Sequence, residues 1–261
     1  MTKFPKKKKI IDIANFFKKK GLFSLLEAAK EQPLNLNELK KIKPYRPELI
    51  DLYNLYQFII KNKRITSLEF GCGWSSLIIA LALRENKKKY NEQIKNLRRN
   101  NAFQNYIVDN ERKYLNISKN RIKDYDSTLL KDNFFLFSKV RIVKNDFRYV
   151  TEFNELPNIN PDFIYLDGPD QFKIISNNKF NIDHKDFAPM SADILKIEFF
   201  LNPGTIILVD GRGLNSNFLR KYLKRKWHYK YIKFSDQHIF TLEKDIKGKH
   251  SEKLFNFFQK N

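Results

Sequence analysis

Glu69, Gly71, Gly73, Ser75 and Ser76 fall together in the stretch LEFGCGWSS, at the end of an apolar run. Two glycines one residue apart let a backbone turn tightly and approach a ligand with no Cβ in the way, and a helix beginning just after them offers free amide groups. The acid two residues before the first glycine narrows the ligand, because a carboxylate repels a pyrophosphate but holds an ammonium group directly or through water. A dinucleotide fingerprint wants a third glycine where this chain has Ser76. The spacing therefore points to a ligand with a cationic amine and no pyrophosphate.

Acids also close other apolar runs. YIVDNE carries Asp109, with Glu111 close behind; VRIVKNDF leads to Asp146; DFIYLDGPD places Asp167 before Gly-Pro; and GTIILVDGR places Asp210 before Gly211 and Arg212. A charged residue that closes an apolar strand ahead of Gly-Pro is rarely a packing choice, so Asp167 is the first candidate for chemistry. Asp146 serves equally well as a turn or helix-capping acid. Asp167 and Asp210 offer the hard oxygens that suit Mg²⁺, but Gly211 brings no third ligand and the permanent charge of Arg212 opposes a cation. No metal is expected, and Arg212 suits an anionic acceptor instead. Of the histidines His184, His228, His238 and His250, two are candidate bases. His184 lies with Asp183 in a loop of about 20 residues after Asp167, and His238 lies with Asp236 at a hairpin tip. Ordinary loop polarity accounts for these four residues equally well.

These residues need a scaffold. Short β-rich runs at 65–70, 105–109, 140–144, 162–167 and 204–210 alternate with helical stretches, which predicts an α/β, doubly wound sheet of five parallel strands. The runs at 228–234 and 238–244 are separated by too few residues for a crossover, so they form a C-terminal antiparallel hairpin and bring the sheet to seven strands. Asp109 follows Glu69 by twice the usual spacing of about 20 residues; the excess, NKKKYNEQIKNLRRNNAFQ, reads as an extended helix or surface insertion. Residues 1–62 read as an N-terminal helical extension, 63–245 as the ligand-binding domain, and 246–261 as a tail with a short or loosely docked helix.

The length of 261 residues suits one domain with an extension. No run reaches the roughly 18 apolar residues of a membrane span, the basic opening lacks a small-residue cleavage site, and Cys72 stands alone, so a soluble cytoplasmic protein is expected. A net charge of +21 suggests a polyanionic partner. Lys, Asn, Ile, Phe and Tyr are abundant together, however, and all have AT-rich codons; the charge is also spread along the whole chain. Nucleic acid is therefore the lesser reading. The basic N-terminal helix, with Phe16, Phe17 and Phe23 on its apolar side, has three uses open to it: docking on its own domain, forming an oligomer, or touching an anionic membrane surface.

On these residues the chain resembles the class I S-adenosylmethionine-dependent methyltransferases over about residues 64 to 244. LEFGCG has the form of that family's acid-x-G-x-G first motif, and the terminal hairpin looks like its reversed seventh strand. The resemblance implies a Rossmann-like fold and S-adenosylmethionine as cofactor. It implies Glu69, Gly71, Gly73, Ser75 and Ser76 near the methionine part, Asp109 on the ribose hydroxyls, Asp146 facing the adenine amino group and Asp167 beside the sulfonium. Family members that methylate bases and amides often carry an Asp/Asn-Pro-Pro-Tyr type motif where this chain has DGPD. That difference favours O-methylation of a small molecule or saccharide, with Asp167, His184 and His238 as the catalytic group. An RNA methyltransferase and a non-catalytic binding protein on the same fold are the alternatives.

Overall fold

A computed structural model describes residues 2–30, 46–145, 148–169, 174, 190–245 and 248–259. The chain runs through α1 (Ile10–Lys19), α2 (Phe23–Ala28), α3 (Leu49–Lys61), β1 (Thr66–Phe70), α4 (Trp74–Ile94), β2 (Gln104–Asp109), α5 (Arg112–Asp126) and β3 (Asn133–Phe137). It continues with β4 (Val140–Asn145), β5 (Arg148–Phe153), β6 (Phe163–Leu166), β7 (Met190–Ser191), α6 (Asp193–Ile197) and β8 (Ile206–Asp210). Helix α7 (Gly213–Tyr222), β9 (Trp227–Ile232), β10 (Gln237–Leu242) and α8 (Lys249–Gln259) complete it.

Seven strands pair in the order β3-β2-β1-β6-β8-β10-β9, and β10 runs antiparallel to both its neighbours. β1 and β6 are buried along their whole length, as central parallel strands covered on both faces must be. The order reverses between β1 and β6, and in open sheets of this kind a ligand crevice lies outside the carboxyl ends of the strands at that point. One face packs Tyr165 and Leu208 against Phe17, Leu55, Phe58 and Ile79. The other packs Phe70, Leu166 and Val209 against Phe153, Ile194 and Leu219.

The helices of residues 1–62 thus share a core with the sheet. The three phenylalanines expected on one apolar side separate: Phe17 is wholly buried, Phe16 packs edge-on against Tyr53 and Tyr56 at 5.1 Å, and Phe23 is 57% exposed. Among the described residues no helix is long and apolar enough to cross a membrane. The excess length between Glu69 and Asp109 is taken up by α4, 21 residues long, and the turns after it. It leaves the register intact, with Glu69 opposite Ile107 and Phe70 opposite Val108.

The third parallel strand is not the run at 140–144. β3, the aromatic run NFFLF, takes that place beside β2. Val140–Asn145 instead pairs antiparallel with Arg148–Phe153 in a separate sheet completed by β7. Only two residues separate the two runs, too few for a parallel crossover, so the same rule that identified the C-terminal hairpin identifies this one.

Helix α8 docks firmly at the amino-terminal edge of the sheet, burying Leu254, Phe257 and Phe258 beside Ile65 and Phe103. Beneath it lies a buried charge network. The carboxylate of Asp162 accepts from the amides of Ile65 and Thr66 at 2.9 Å each and from Arg99 at 2.7 Å. Arg64 donates to the carbonyl of Gly204 at 2.7 Å while its guanidinium lies 3.8 Å from the ring of Phe258. Removing one partner of a buried pair strands the other. Asp162→Ala is therefore expected to cost about 3–5 kcal/mol of stability, read as a lower urea midpoint at unchanged slope.

Candidate active site

The site is built where the turns after β1 and β6 touch. The carbonyl of Phe70 accepts from the amides of Asp167 (2.9 Å) and Gly168 (2.6 Å), and Gly71 donates to the carbonyl of Val108 at 2.9 Å. A Cβ on Gly71 would stand 2.7 Å from the Gly168 nitrogen, and one on Gly168 would stand 2.5 Å from Gly71 Cα; Gly71 also has φ +86°. Both positions therefore need glycine for packing alone. Gly73 differs. Its φ of −177° is extended backbone open to any residue, and a Cβ there meets nothing nearer than Ser75 Oγ at 3.8 Å. Neither packing nor conformation explains this glycine, whereas close approach of a ligand does.

Glu69 is wholly buried. One oxygen accepts from Ser75 Oγ at 2.6 Å and Oε2 has no partner. Burial pushes its carboxyl up to about 8, with the hydrogen bond from Ser75 opposing. Ser76 Oγ accepts from the amide of Gly73 at 3.4 Å, so one serine orients the acid and the other braces the start of α4. Ser75, and not Glu69, lies on the wall of the cavity. Asp109, the last residue of β2 and the register partner of Phe137 in β3, accepts from the amide of Glu111 at 2.7 Å. Burial pushes it up to about 6, opposed by hydrogen bonds from Cys72 and Glu111. Burial likewise holds the Cys72 thiol well above its ordinary range.

The cavity, about 240 Å³, opens at the carboxyl ends of the strands. Gly73, Trp74 and Ser75 form one wall, where the guanidinium of Arg121 stacks on Trp74 at 3.9 Å. The rest of the lining is acidic: Glu48 and Asp51 come from the start of α3, and Asp167 and Asp210 come from the strand ends. Tyr165 Oη donates to Asp210 Oδ2, while Asp210 Oδ1 is buried with no hydrogen-bond partner. Burial is the first cause that raises Asp51 to about 8; Asp210, Glu48, Asp236 and Asp167 add to it with the same sign. Asp167 is also raised to about 8, by the protein that rings it and then by Asp210, with Arg212 opposing, although its surface is open to the cavity. Among the described residues no group of three metal-ligating side chains gathers. A larger hollow of about 440 Å³, beside Arg98, Lys249 and His250, lies at the other edge of the sheet, away from these acids.

The expected residues do not all meet here. His238 points to the opposite face of the sheet, because side chains alternate along β10: Gln237 reaches the Asp51 carbonyl at 3.3 Å, whereas His238 Nδ1 lies 2.9 Å from Tyr229 Oη, with its ring stacked near Tyr229 and Tyr231. Arg212 Nη1 donates to the carbonyls of Asp167 (2.8 Å) and Pro169 (3.0 Å), so it braces the turn and does not stand in the cavity as an anion ligand. Asp146, Asp183 and His184 lie outside the described residues, and the strand before Asp146 belongs to the second sheet. Tyr165, Glu48 and Asp51 went unmarked. The period of two back from Asp167 points to Tyr165, but no local signal marks α3 as a wall of the site.

The mostly parallel seven-stranded sheet with an antiparallel β10, covered by helices on both faces, is a Rossmann-like α/β fold. Among solved structures the chain is similar to a methyltransferase from Geobacter sulfurreducens, with 10% identity and a TM-score of 0.46 over 84% of this chain and 89% of that one. It is similar to an O-methyltransferase from Bacillus cereus in complex with S-adenosylhomocysteine (13%, 0.46, 85% and 91%). It is also similar to the O-methyltransferase TomG from Streptomyces achromogenes, involved in tomaymycin synthesis, in complex with S-adenosylmethionine (11%, 0.45, 85% and 89%). No family model and no curated protein matches the chain. Likeness at this level concerns the course of the backbone, and the chemistry rests on the side chains.

Two measurements follow from this geometry. Gly71→Ala should lower the melting temperature sharply, whereas Gly73→Ala should leave it within a degree or two, about the effect of a neutral surface change. The raised carboxyl of Asp51 holds a proton that the unfolded chain has released. Its contribution to stability is complete below about pH 4 and is lost as pH rises through about 8. Thermal melts of the ligand-free protein should therefore fall between about pH 4 and 8, and Asp51→Asn should flatten that slope.

Proposed function

We propose that the chain is an S-adenosylmethionine-dependent methyltransferase that acts on an oxygen of a small-molecule acceptor, sugars included. Residues 63–245 carry the reaction and α3 supplies one wall of the site. The observation that carries the reading is the pairing of Gly73, a glycine that packing does not require, with the buried, unpartnered oxygen of Glu69 one hydrogen bond behind Ser75. A ligand bearing an amine, laid against a backbone with no Cβ, suits both.

Ser75 and Glu69 would hold the cofactor's amine, Gly73 would admit its chain, and Asp109, with Cys72 beside it, would take the ribose hydroxyls. Once bound, the cofactor supplies an electrophilic methyl group on a sulfonium. The protein's own work is then alignment and proton removal. Asp167 leaves the β6 turn beside Gly71, so the two turns hold an acid next to the cofactor loop. A carboxyl raised to about 8 takes a proton from an acceptor hydroxyl far better than one at its ordinary value, provided it is ionised before the acceptor binds. Asp210, tied to Tyr165, acts on Asp167 as a neighbouring like charge that favours its protonation.

Calorimetric titration with S-adenosylmethionine is expected to show binding in the micromolar range, about −8 kcal/mol. Both Glu69→Ala and Gly73→Ala should weaken it, and absence of binding to the intact chain would overturn the reading. With an acceptor in hand, kcat/KM should rise with pH between about 7 and 9 as the acids ionise. Asp167→Asn should remove that rise and lower kcat by about 10²–10⁴-fold.

A further inference from the structure

We infer that the acceptor carries a positively charged nitrogen, held by Asp51 of α3 and Asp210 of β8 while its reacting oxygen faces Asp167. This rests on the methyl-transfer reading above. The acid wall is assembled from separate elements: Glu48 and Asp51 at the start of α3, Asp167 after β6, and Asp210 at the end of β8, with Asp236 just before β10. Every charge acting on Asp51 from these elements has the same sign. The neighbouring neutral donors satisfy only part of the set. Tyr165 Oη serves Asp210 Oδ2, and Gln237 Nε2 serves the backbone carbonyl of Asp51 and not its carboxylate. Asp210 Oδ1 remains buried on the cavity wall with no hydrogen-bond partner.

Two positive groups nearby have partners outside the Asp51–Asp210 pair: Arg121 stacks on Trp74, and Arg212 donates to the carbonyls of Asp167 and Pro169. Arg46 lines the same cavity beside Pro47. Like charges gathered on one partly enclosed cavity repel one another, and the buried Asp210 Oδ1 without a donor is costly as well. An ammonium entering between Asp51 and Asp210 answers both, because it brings charge and N–H donors together. A neutral acceptor would leave the repulsion in place, and an anionic one would add to it.

The test uses the full chain saturated with S-adenosylhomocysteine, with a chelator present, at about pH 8, where the amine probe stays charged. Three phenols of one framework are titrated calorimetrically: tyramine, which is cationic, tyrosol, which is neutral, and 4-hydroxyphenylacetate, which is anionic. Tyramine is expected to bind about tenfold or more tighter than tyrosol, with 4-hydroxyphenylacetate weakest. Binding of tyramine at about pH 7 should also release protons from the raised acids, seen as a heat that varies with the ionisation enthalpy of the buffer. Asp51→Asn, equal in shape but without the charge, should erase most of the preference and the proton release, and Asp51→Glu should retain both in part. Equal binding of the three probes, no binding by any of them, or an order led by the anion would overturn the inference while leaving methyl transfer standing. Failure of S-adenosylhomocysteine to bind would remove the methyl-transfer reading itself, and the acceptor inference with it.

Discussion

Two backbones in van der Waals contact, at Gly71 and Gly168, set the geometry on which the site depends. Neither turn tolerates a methyl group at the contact, and the carbonyl of Phe70 is shared between two amides of the opposing turn. The result is a fixed separation between the end of β1, which aims Glu69 and the start of α4, and the end of β6, which presents Asp167. Side chains can adjust by rotamer changes, but a backbone contact of this kind has no slack to give. Everything that lines the cavity from the sheet side inherits its position from this crossing.

Much of that frame was legible in the sequence. The alternation of β-rich and helical runs gave the parallel sheet, and the three-residue link between the last two runs gave the terminal hairpin, since chain length alone forbids a crossover there. The acids at 109, 167 and 210 were visible because a charge that ends an apolar strand stands out against the strand's burial. The third strand was misread because VRIVK has the stronger β-branched signature, while NFFLF, the true neighbour of β2, sits between a helical run and a hairpin. His238 was misplaced for a different reason. It reaches the correct edge of the sheet, but the period of two sends its ring to the face away from α3.

What stayed hidden was the contribution of α3. Glu48 and Asp51 read as ordinary first-turn acids, which are favourable at any helix N-terminus. Their importance comes from docking. Asn86 of α4 donates to the carbonyls of Ile59 and Arg64, and Lys20 and Tyr56 both reach Glu85, so α1, α3 and α4 are locked together and the start of α3 is carried to the mouth of the cavity. Contacts between segments so distant in sequence leave no periodic trace in either of them. The raised carboxyl at Asp51 expresses the same docking as electrostatics, because partial burial beside other acids favours its protonated form.

The two walls of the cavity have separate origins. One part of the lining belongs to the β1 turn and the first residues of α4, where the glycine contact resists change. Two of the cavity's acids, Glu48 and Asp51, stand at the start of one 13-residue helix, α3, whose inward face is ordinary apolar packing. A lineage could therefore exchange the outward residues at the start of that helix, and with them the chemistry of that side of the cavity, without disturbing the glycine contact. In that sense the protein divides its inheritance, with a conservative hinge of glycine on one side and an interchangeable recognition helix on the other.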